Sequence, residues 1–314
     1  MTPPTRGVRV ESRFFHEVCM HVRLPLAATA LTVLTATSVF AQAPAQTDYS
    51  QVQIKVTKLS GDFHMLEGSG GVIGVLPGPD GVFMVDSQFA PLTEKIVAAI
   101  RTVSDKPIRY MVNTHLHPDH TGGNENLGKM GVSLLSRPQL RARLAGGARP
   151  APAAALATLT YDEKTTIHMN GEEVQLIPVR TAHTDGDTMI YFTKANVIMT
   201  GDFFRSIQYP YPDRNSGGTF KGLVEGLNAV IALAGPATKI VPGHGPVVTK
   251  AEVAAHRDTA VALAAKVEAQ VKQGKSADEI AAMKLTNEFD ARIQQPGTTG
   301  ERFVRALVAE YGGK

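Results

Sequence analysis

The sequence predicts an α/β fold built as a four-layer sandwich, with two mixed β-sheets packed face to face and helices on the outside. One observation is composition, because 314 residues that are 43% hydrophobic and 19% charged suit a soluble globular protein. A second is order, since apolar runs and amphipathic stretches follow one another as strand, strand, helix, strand, and do so twice. A third is that each half ends in His- and Asp-containing motifs. Two such halves imply two sheets with their own helices.

The first half contains four predicted strands and one predicted helix. Polar and apolar residues alternate over residues 51–56, the period of a half-buried strand. Two apolar runs, residues 72–76 and 82–85, flank a Pro- and Gly-rich turn and therefore predict a hairpin. A helix over residues 92–103 follows, and a buried strand over residues 108–112 leads directly to His115.

The second half repeats this order after a weakly patterned connection. Residues 146–158 are rich in Ala and Pro and predict an extended or poorly packed segment. A hairpin is expected around Asn170-Gly171, a type I′ turn signal between the strands 167–169 and 174–179. Capping-box patterns begin two helices of the tail, and Gly274 can end the first of them. The remaining predicted elements are strands at 189–192, 197–199 and 239–241 and a helix near 223–233.

The N-terminus has the form of a secretory signal peptide. An uncharged, mostly apolar stretch over residues 24–40 follows Arg23 and precedes Ala41-Gln42-Ala43. Cleavage after Ala41 and cleavage after Ala43 both fit, and Met20 is an alternative start. We therefore expect a signal peptide over residues 1–43, a single mature domain with C-terminal helices over residues 44–314, and a periplasmic or secreted protein. An uncleaved membrane tether is the alternative, although the apolar stretch is short for a span.

The charge of the predicted mature chain excludes some classes of partner. The whole chain carries a formal charge of +3, and residues 1–43 contain four of its arginines and two of its glutamates. The mature chain is therefore close to neutral, so we expect no nucleic-acid partner and no stable membrane anchor after cleavage. Cys19 is the one cysteine and would leave with the signal peptide. The mature chain would have neither a disulfide nor a thiolate ligand.

One short loop contains most of the chemistry-bearing residues. His115, His117, Asp119 and His120 lie within six residues, directly after the predicted strand 108–112. On an extended backbone His115 and His117 point the same way, and Pro118 then turns the chain so that the next two side chains approach from another side. Clustered imidazole and carboxylate groups of this kind normally coordinate metal or act in catalysis.

This loop and three later motifs resemble the metallo-β-lactamase superfamily, whose hallmark is a His-x-His-x-Asp-His loop after a buried strand. The later motifs are Ala182-His183-Thr184-Asp185-Gly186-Asp187, Thr200-Gly201-Asp202 and Val241-Pro242-Gly243-His244-Gly245, and the resemblance spans about residues 52–248. Val85-Asp86 is similar to the strand-end aspartate of the family, which usually supports the ligands from behind.

The resemblance implies the metallo-β-lactamase fold and a site for two metal ions that activate water. It divides the ligands between the two metals, and it makes Asp119 also the catalytic residue that orients the water and passes its proton to the leaving group. Zinc is the expected metal, two per chain, with iron and manganese as alternatives. The first metal would be held by His115, His117 and His183, the second by Asp119, His120 and His244, and Asp202 would be shared.

The resemblance leaves the substrate open. We expect an exported hydrolase that cleaves a carbonyl bond (amide, ester or lactone) of a small molecule, with β-lactam hydrolysis as the leading activity. Well-known exported lactamases have cysteine where this chain has Asp202, so a glyoxalase II-like thioesterase and a lactonase are alternatives. A non-hydrolytic metal-binding or diiron redox protein is the alternative of another class.

Several polar residues are expected to lie outside the metal site. Packing or surface roles are expected for three other histidines, and turn capping for Asp185 and Asp187 serves as well as a metal contact. The Pro-rich loop around residues 209–218 is interpreted either as a border of the substrate pocket or as an ordinary loop. The three histidines are His64, His168 and His256.

Overall fold

The computed structural model describes residues 47–147, 149–291, 293 and 298–313. The predicted signal peptide lies outside the described residues and stays a prediction. None of the described helices is both long and apolar enough to cross a membrane. The strands are β1 (Lys55–Ser60), β2 (Phe63–Glu67), β3 (Ile73–Leu76), β4 (Val82–Val85), β5 (Ile108–Val112), β6 (Ser133–Ser136), β7 (Leu159–Thr160), β8 (Thr165–Met169), β9 (Glu172–Val179), β10 (Asp187–Phe192), β11 (Val197–Met199) and β12 (Lys239–Val241). The α-helices are α1 (Thr93–Arg101), α2 (Pro118–Thr121), α3 (Asn124–Lys129), α4 (Pro138–Ala145), α5 (Phe220–Leu233), α6 (Lys250–Lys272), α7 (Ala277–Ala282), α8 (Asn287–Asp290) and α9 (Gly300–Glu310).

The strands form two mixed sheets. The first has seven strands in the order β1 to β7, antiparallel from β1 to β4 and parallel from β4 to β7. The second has five strands in the order β12-β11-β10-β9-β8, of which β11 and β12 are parallel. The parallel pairs matter for function, because the carboxyl ends of parallel neighbours open onto the same edge of a sheet.

Alternating side chains of the strands place the two sheets face to face. Phe83 on β4 packs into a buried cluster with residues of the second sheet, and its ring lies 6.1 Å from that of Phe192. Its neighbour Met84 points the other way and packs against Ile96 of α1. On the second sheet the outer face is covered by Leu223 of α5. The order is thus helix, sheet, sheet, helix, which confirms the predicted four-layer sandwich.

Most predicted elements are present, with shifts that have local causes. Asn170 and Gly171 have φ of 55° and 70°, as a type I′ turn requires, and they join β8 to β9. The first strand begins at Lys55, later than expected, because Asp48 caps a short 3-10 helix over Tyr49–Gln51. Strand β2 fills a stretch for which no element was predicted.

The connection over residues 146–158 differs in part from the prediction. Ala155 and Ala157 are buried, so its second half packs against the domain instead of lying loosely on it. A Cβ on Gly128 of α3 would overlap the carbonyl of Ala154, so glycine permits this close approach.

The C-terminal helices form a separate apolar cluster beside the second sheet. Both predicted capping boxes are present, at Thr249 with Glu252 and at Ser276 with Glu279. Buried residues of α6 and α9 pack together with Tyr209 of the loop that follows β11. The tail therefore supports this loop.

Candidate metal centre

The structure brings all seven predicted ligands together at the ends of strands. The His115–His120 loop follows β5, Asp202 follows β11 and His244 follows β12, while His183 lies between β9 and β10. Because β11 and β12 are parallel, Asp202 and His244 leave the same edge of the second sheet. The side chains form two groups that could each hold a metal ion: His115, His117 and His183, and Asp119, His120, Asp202 and His244.

The first group is a convergence of three imidazoles. The Nδ1 atom of His117 lies 3.1 Å from Nε2 of His115 and 2.9 Å from Nε2 of His183. Zinc–nitrogen bonds of about 2.0–2.1 Å in a tetrahedron place ligand nitrogens roughly 3.3 Å apart. The three nitrogens therefore have close to the spacing that a single zinc ion needs.

The second group combines imidazoles with carboxylates. Nε2 of His244 lies 3.1 Å from Oδ2 of Asp119 and 3.3 Å from Oδ1 of Asp202. Nε2 of His120 is 3.2 Å from the same Asp202 oxygen. Among the described residues, His120 Nε2 and Asp202 Oδ1 are both buried, and neither makes a hydrogen bond. Buried polar atoms of this kind normally have a partner, so their convergence fits a bound cation.

Asp202 lies between the two groups. Its Oδ1 faces the second group, while its Oδ2 is 3.8 Å from Nε2 of His183 and 4.0 Å from Nε2 of His115 in the first. One carboxylate thus offers an oxygen to each side. The residue types also fit, because imidazole and carboxylate are ligands that zinc accepts.

Hydrogen bonds behind the ligands decide which ring nitrogen faces the site. Nδ1 of His183 donates to the carbonyl oxygen of Tyr211 over 2.6 Å, which leaves its Nε2 free to accept. The carboxylate of Asp213 lies 3.0 Å from Nε2 of His117 and leaves Nδ1 for the site. Such partners fix the tautomer and orientation of metal-binding imidazoles.

Asp86, the residue after β4, holds the ring of His120 in the same way. Its Oδ2 accepts from Nδ1 of His120 over 2.7 Å, and its two oxygens also accept from the amide and hydroxyl of Thr114 at 2.7 Å each. The backbone of Asp86 has φ of 61°, a left-handed conformation that aspartate tolerates better than most residues. This buried carboxylate orients His120 and anchors the start of the ligand loop.

The two groups differ in their affinity for protons. Burial lowers the pKa of His183 to about 3 and that of His115 well below its usual value. Burial also opposes the charged form of His244, but the carboxylates of Asp202 and Asp119 outweigh it and raise its pKa to about 9. Burial is likewise outweighed by the carboxylates of Asp86 and Asp202, which raise the pKa of His120 well above its usual value. At neutral pH a metal entering the first group meets neutral His115 and His183, while one entering the second must displace protons from His120 and His244.

Three residues that contact the candidate ligands were not predicted to do so. Tyr211 and Asp213 belong to the Pro-rich loop whose role the sequence left open, and the structure shows that this loop borders the first group. The guanidinium Nη1 of Arg205 lies 3.9 Å from Oδ2 of Asp202. The prolines and glycines of the loop predicted a turn. The sequence did not indicate that the loop contacts His117 or His183, because both histidines precede it by tens of residues.

Other polar residues have structural roles, as expected. Asp187 accepts hydrogen bonds from the amides of His183 and Thr184 and so caps their turn. Asp185 pairs with Arg143 over 2.6 Å. His256 packs edge-on against the ring of Phe204. None of these belongs to the two ligand groups found among the described residues.

Comparison with known proteins identifies the family to which the chain is similar. The family model described as the metallo-beta-lactamase superfamily matches residues 67–244, a range that includes all seven ligands. A metallo-beta-lactamase from Pontibacter korlensis has a similar structure, with a TM-score of 0.56 and 20% identity over 66% of this chain and 98% of that chain. The stereoselective inverting sec-alkylsulfatase Pisa1 from Pseudomonas sp. has a TM-score of 0.64 and 17% identity over 83% of this chain.

A curated relative matches a shorter stretch. The linear primary-alkylsulfatase of a Pseudomonas strain is 40% identical over 50 residues, 16% of this chain. The match spans 10% of that relative, and this chain covers 50% of the length of Pisa1. At these identities the structural likenesses show the fold.

Proposed function

This chain belongs to the metallo-beta-lactamase superfamily, and on that premise we propose that it is a hydrolase that uses two zinc ions to activate water against a carbonyl bond. Superfamily membership and the His/Asp groups together indicate a metal-dependent hydrolase. The identity of the metal as zinc, the number of ions and the type of bond cleaved are our proposals beyond this. Export to the periplasm or beyond the cell is also part of the proposal, and it rests on the apolar stretch over residues 24–40.

The position of Asp202 is the observation that carries the two-ion proposal. Its oxygens face the two groups separately, at 3.2 and 3.3 Å on one side and 3.8 and 4.0 Å on the other. A carboxylate between two sets of imidazoles suits a pair of cations that share it. A single ion would leave either the three imidazoles of the first group or the buried Asp202 oxygen without a metal partner.

Bound cations would lower the pKa of water and neutralise the negative charge that develops on the substrate. The chain itself supplies the proton transfer. Asp119 has a side chain 24% exposed, whereas His115, His120 and Asp202 are buried, so the site opens beside Asp119. Burial raises the pKa of Asp119, but the hydrogen bond from His244 and nearby positive charge outweigh it and lower the pKa. Ionised Asp119 can accept the proton of the attacking water and return it to the leaving atom.

Two substrate classes have specific support. β-Lactams lead, because lactamase structures match this chain over nearly their whole length and because the expected compartment is the one that such compounds reach. Alkyl sulfates are the second candidate, since Pisa1 matches 83% of this chain, whereas the lactamase from Pontibacter korlensis matches 66%. Lactones and thioesters remain the alternatives within carbonyl chemistry.

A hydrolysis panel tests the proposal. The chain without residues 1–43, loaded with zinc, is assayed against β-lactams, lactones, thioesters and alkyl sulfates, together with its Asp202→Asn variant. Asp185→Asn is the matched control, because Asp185 lies near the site and pairs with Arg143. We expect turnover of at least one carbonyl substrate that chelation abolishes, loss in Asp202→Asn and retention in Asp185→Asn. Turnover of alkyl sulfates alone would replace the carbonyl proposal, and equal activity of both variants would contradict the role of Asp202.

A further inference from the structure

One wall of the metal site is an aromatic ring flanked by cations. The ring of Tyr211 lies 5.9 Å from that of His183, between centroids. The guanidinium carbon of Arg302 lies over the same ring, 4.1 Å from its centre. Arg302 is in the first turn of α9, so the C-terminal part of the chain contributes directly to the surroundings of a candidate ligand.

Arg302 differs from its neighbours in its pairing with acidic residues. It is exposed, and no ion pair of Arg302 is found within the described residues. On the same helix Arg305 pairs with Glu301 and with Asp278, each over 2.8 Å. Arg205, the other cation near Tyr211, already donates to Thr298 over 2.9 Å and lies close to Asp202. Within the described part of the chain, Arg302 is therefore the cation of this wall whose side-chain N–H groups remain available.

The geometry suits recognition of an anion. Stacking on Tyr211 holds the guanidinium in one place while leaving its N–H edge free, and the ring attracts the cation without neutralising it. A held guanidinium presents a planar fork that matches a carboxylate with two hydrogen bonds. Little side-chain entropy would then be lost on binding, because the stacking has already ordered Arg302.

We propose that Arg302 recognises an anionic group of the substrate that is separated from the bond to be cleaved. The substrate class is then a small carboxylate-bearing acyl compound, oriented with its carbonyl at the metal site and its carboxylate at the Tyr211 wall. This inference rests on the proposed hydrolase function. It makes Arg302 a specificity-determining residue and gives the C-terminal helix α9 a part in substrate choice.

A matched pair of esters tests it. The neutral ester 4-nitrophenyl butyrate and the anionic ester mono-4-nitrophenyl glutarate differ chiefly in a terminal carboxylate. We expect Arg302→Gln to raise KM for the anionic ester about tenfold to a hundredfold, the value of one charge-assisted interaction, and to leave the neutral ester unchanged. Arg302→Lys should restore most of the preference, and Arg305→Gln, which removes the same charge from the same helix, should not alter it.

The outcomes separate this inference from the function on which it rests. Equal changes for both esters in Arg302→Gln would show that Arg302 only fastens α9 to Tyr211, and no change would remove it from the site. Both results overturn the proposal. If the wild-type chain hydrolyses neither ester, binding of glutarate is measured by calorimetry. Binding that Arg302→Gln abolishes supports the anion site whatever the hydrolysis panel shows, and absent binding overturns the anion site.

Discussion

Replacing Asp86 by asparagine is expected to weaken metal binding at the second group while leaving the first group intact. An ionised carboxylate only accepts hydrogen bonds, so Nδ1 of His120 must donate to it and Nε2 is the nitrogen left for the metal. In Asp86→Asn the side-chain oxygen of the new asparagine must keep accepting from the backbone N–H of Thr114, because a backbone N–H can only donate. The new NH₂ then faces Nδ1 of His120, whose proton has to move to Nε2.

The size of the effect follows from burial. His120 and Asp86 are 0% and 1% exposed, so water cannot replace the lost acceptor. Partners of this kind are worth about tenfold to a hundredfold in metal affinity, and we expect the upper end here. Asp213→Asn is the corresponding experiment for the first group. It should move the proton of His117 to Nδ1 and weaken metal binding by that group. His117 is 24% exposed, so that loss should be nearer the lower end.

Two measurements on metal-depleted protein check this. Competition with a chromophoric chelator gives the two stepwise zinc constants, and nitrogen NMR of the histidine rings reports which nitrogen carries the proton. In Asp86→Asn we expect His120 to lose the proton on Nδ1 and one zinc constant to weaken. In Asp213→Asn we expect the proton of His117 to move to Nδ1. Wild-type constants in Asp86→Asn, or a loss confined to the first group, would show that Asp86 does not orient His120 for metal binding.

Three further predictions concern the ligands themselves. Asp119→Asn should lower kcat about a hundredfold to ten-thousandfold with little change in KM, if Asp119 transfers the proton; kinetics with metal analysis separate this from loss of an ion, and unchanged kinetics would exclude both roles. His115→Ala and His183→Ala should each abolish hydrolysis in a folded, weakly metallated protein, as circular dichroism and elemental analysis would show; wild-type turnover would refute their assignment. His244 has its pKa raised to about 9, so its pairing stabilises the metal-free chain fully below about pH 6.5 and is lost as pH rises through 9. Zinc affinity at the second group should rise over the same range, and calorimetry in buffers of different ionisation enthalpy should detect proton release there; release that is absent would contradict the raised pKa.

The parts of the molecule that could be predicted from sequence are those determined by short-range patterns. Strand β5 has the predicted bounds because an apolar run ends at a polar loop, and β11 and β12 were found in the same way. The ligand set came from motifs in which each residue type is chemically restricted. The grouping of these residues in the structure matches the predicted division, and their role as ligands stays a prediction.

Contacts between distant segments could not be predicted. Asp213 and Tyr211 reach His117 and His183 because α6 and α9 support the loop between them, and no periodicity signals such packing. Arg302 lies on a helix whose apolar face could be predicted, but its stacking on Tyr211 depends on how that helix docks. The burial of Ala155 could not be predicted, because the chain around it approaches α3 closely only where Gly128 has no Cβ.

The metal content of the active protein is the sharpest test of the proposed two-zinc site. The chain without residues 1–43 is purified under mild conditions, analysed for metals, stripped with a chelator and reloaded while hydrolysis of its best substrate is followed. We predict close to two ions per chain, chiefly zinc, with activity that disappears on stripping and returns on reloading. Full activity in a chain that holds no metal would rule out a metal-dependent hydrolase.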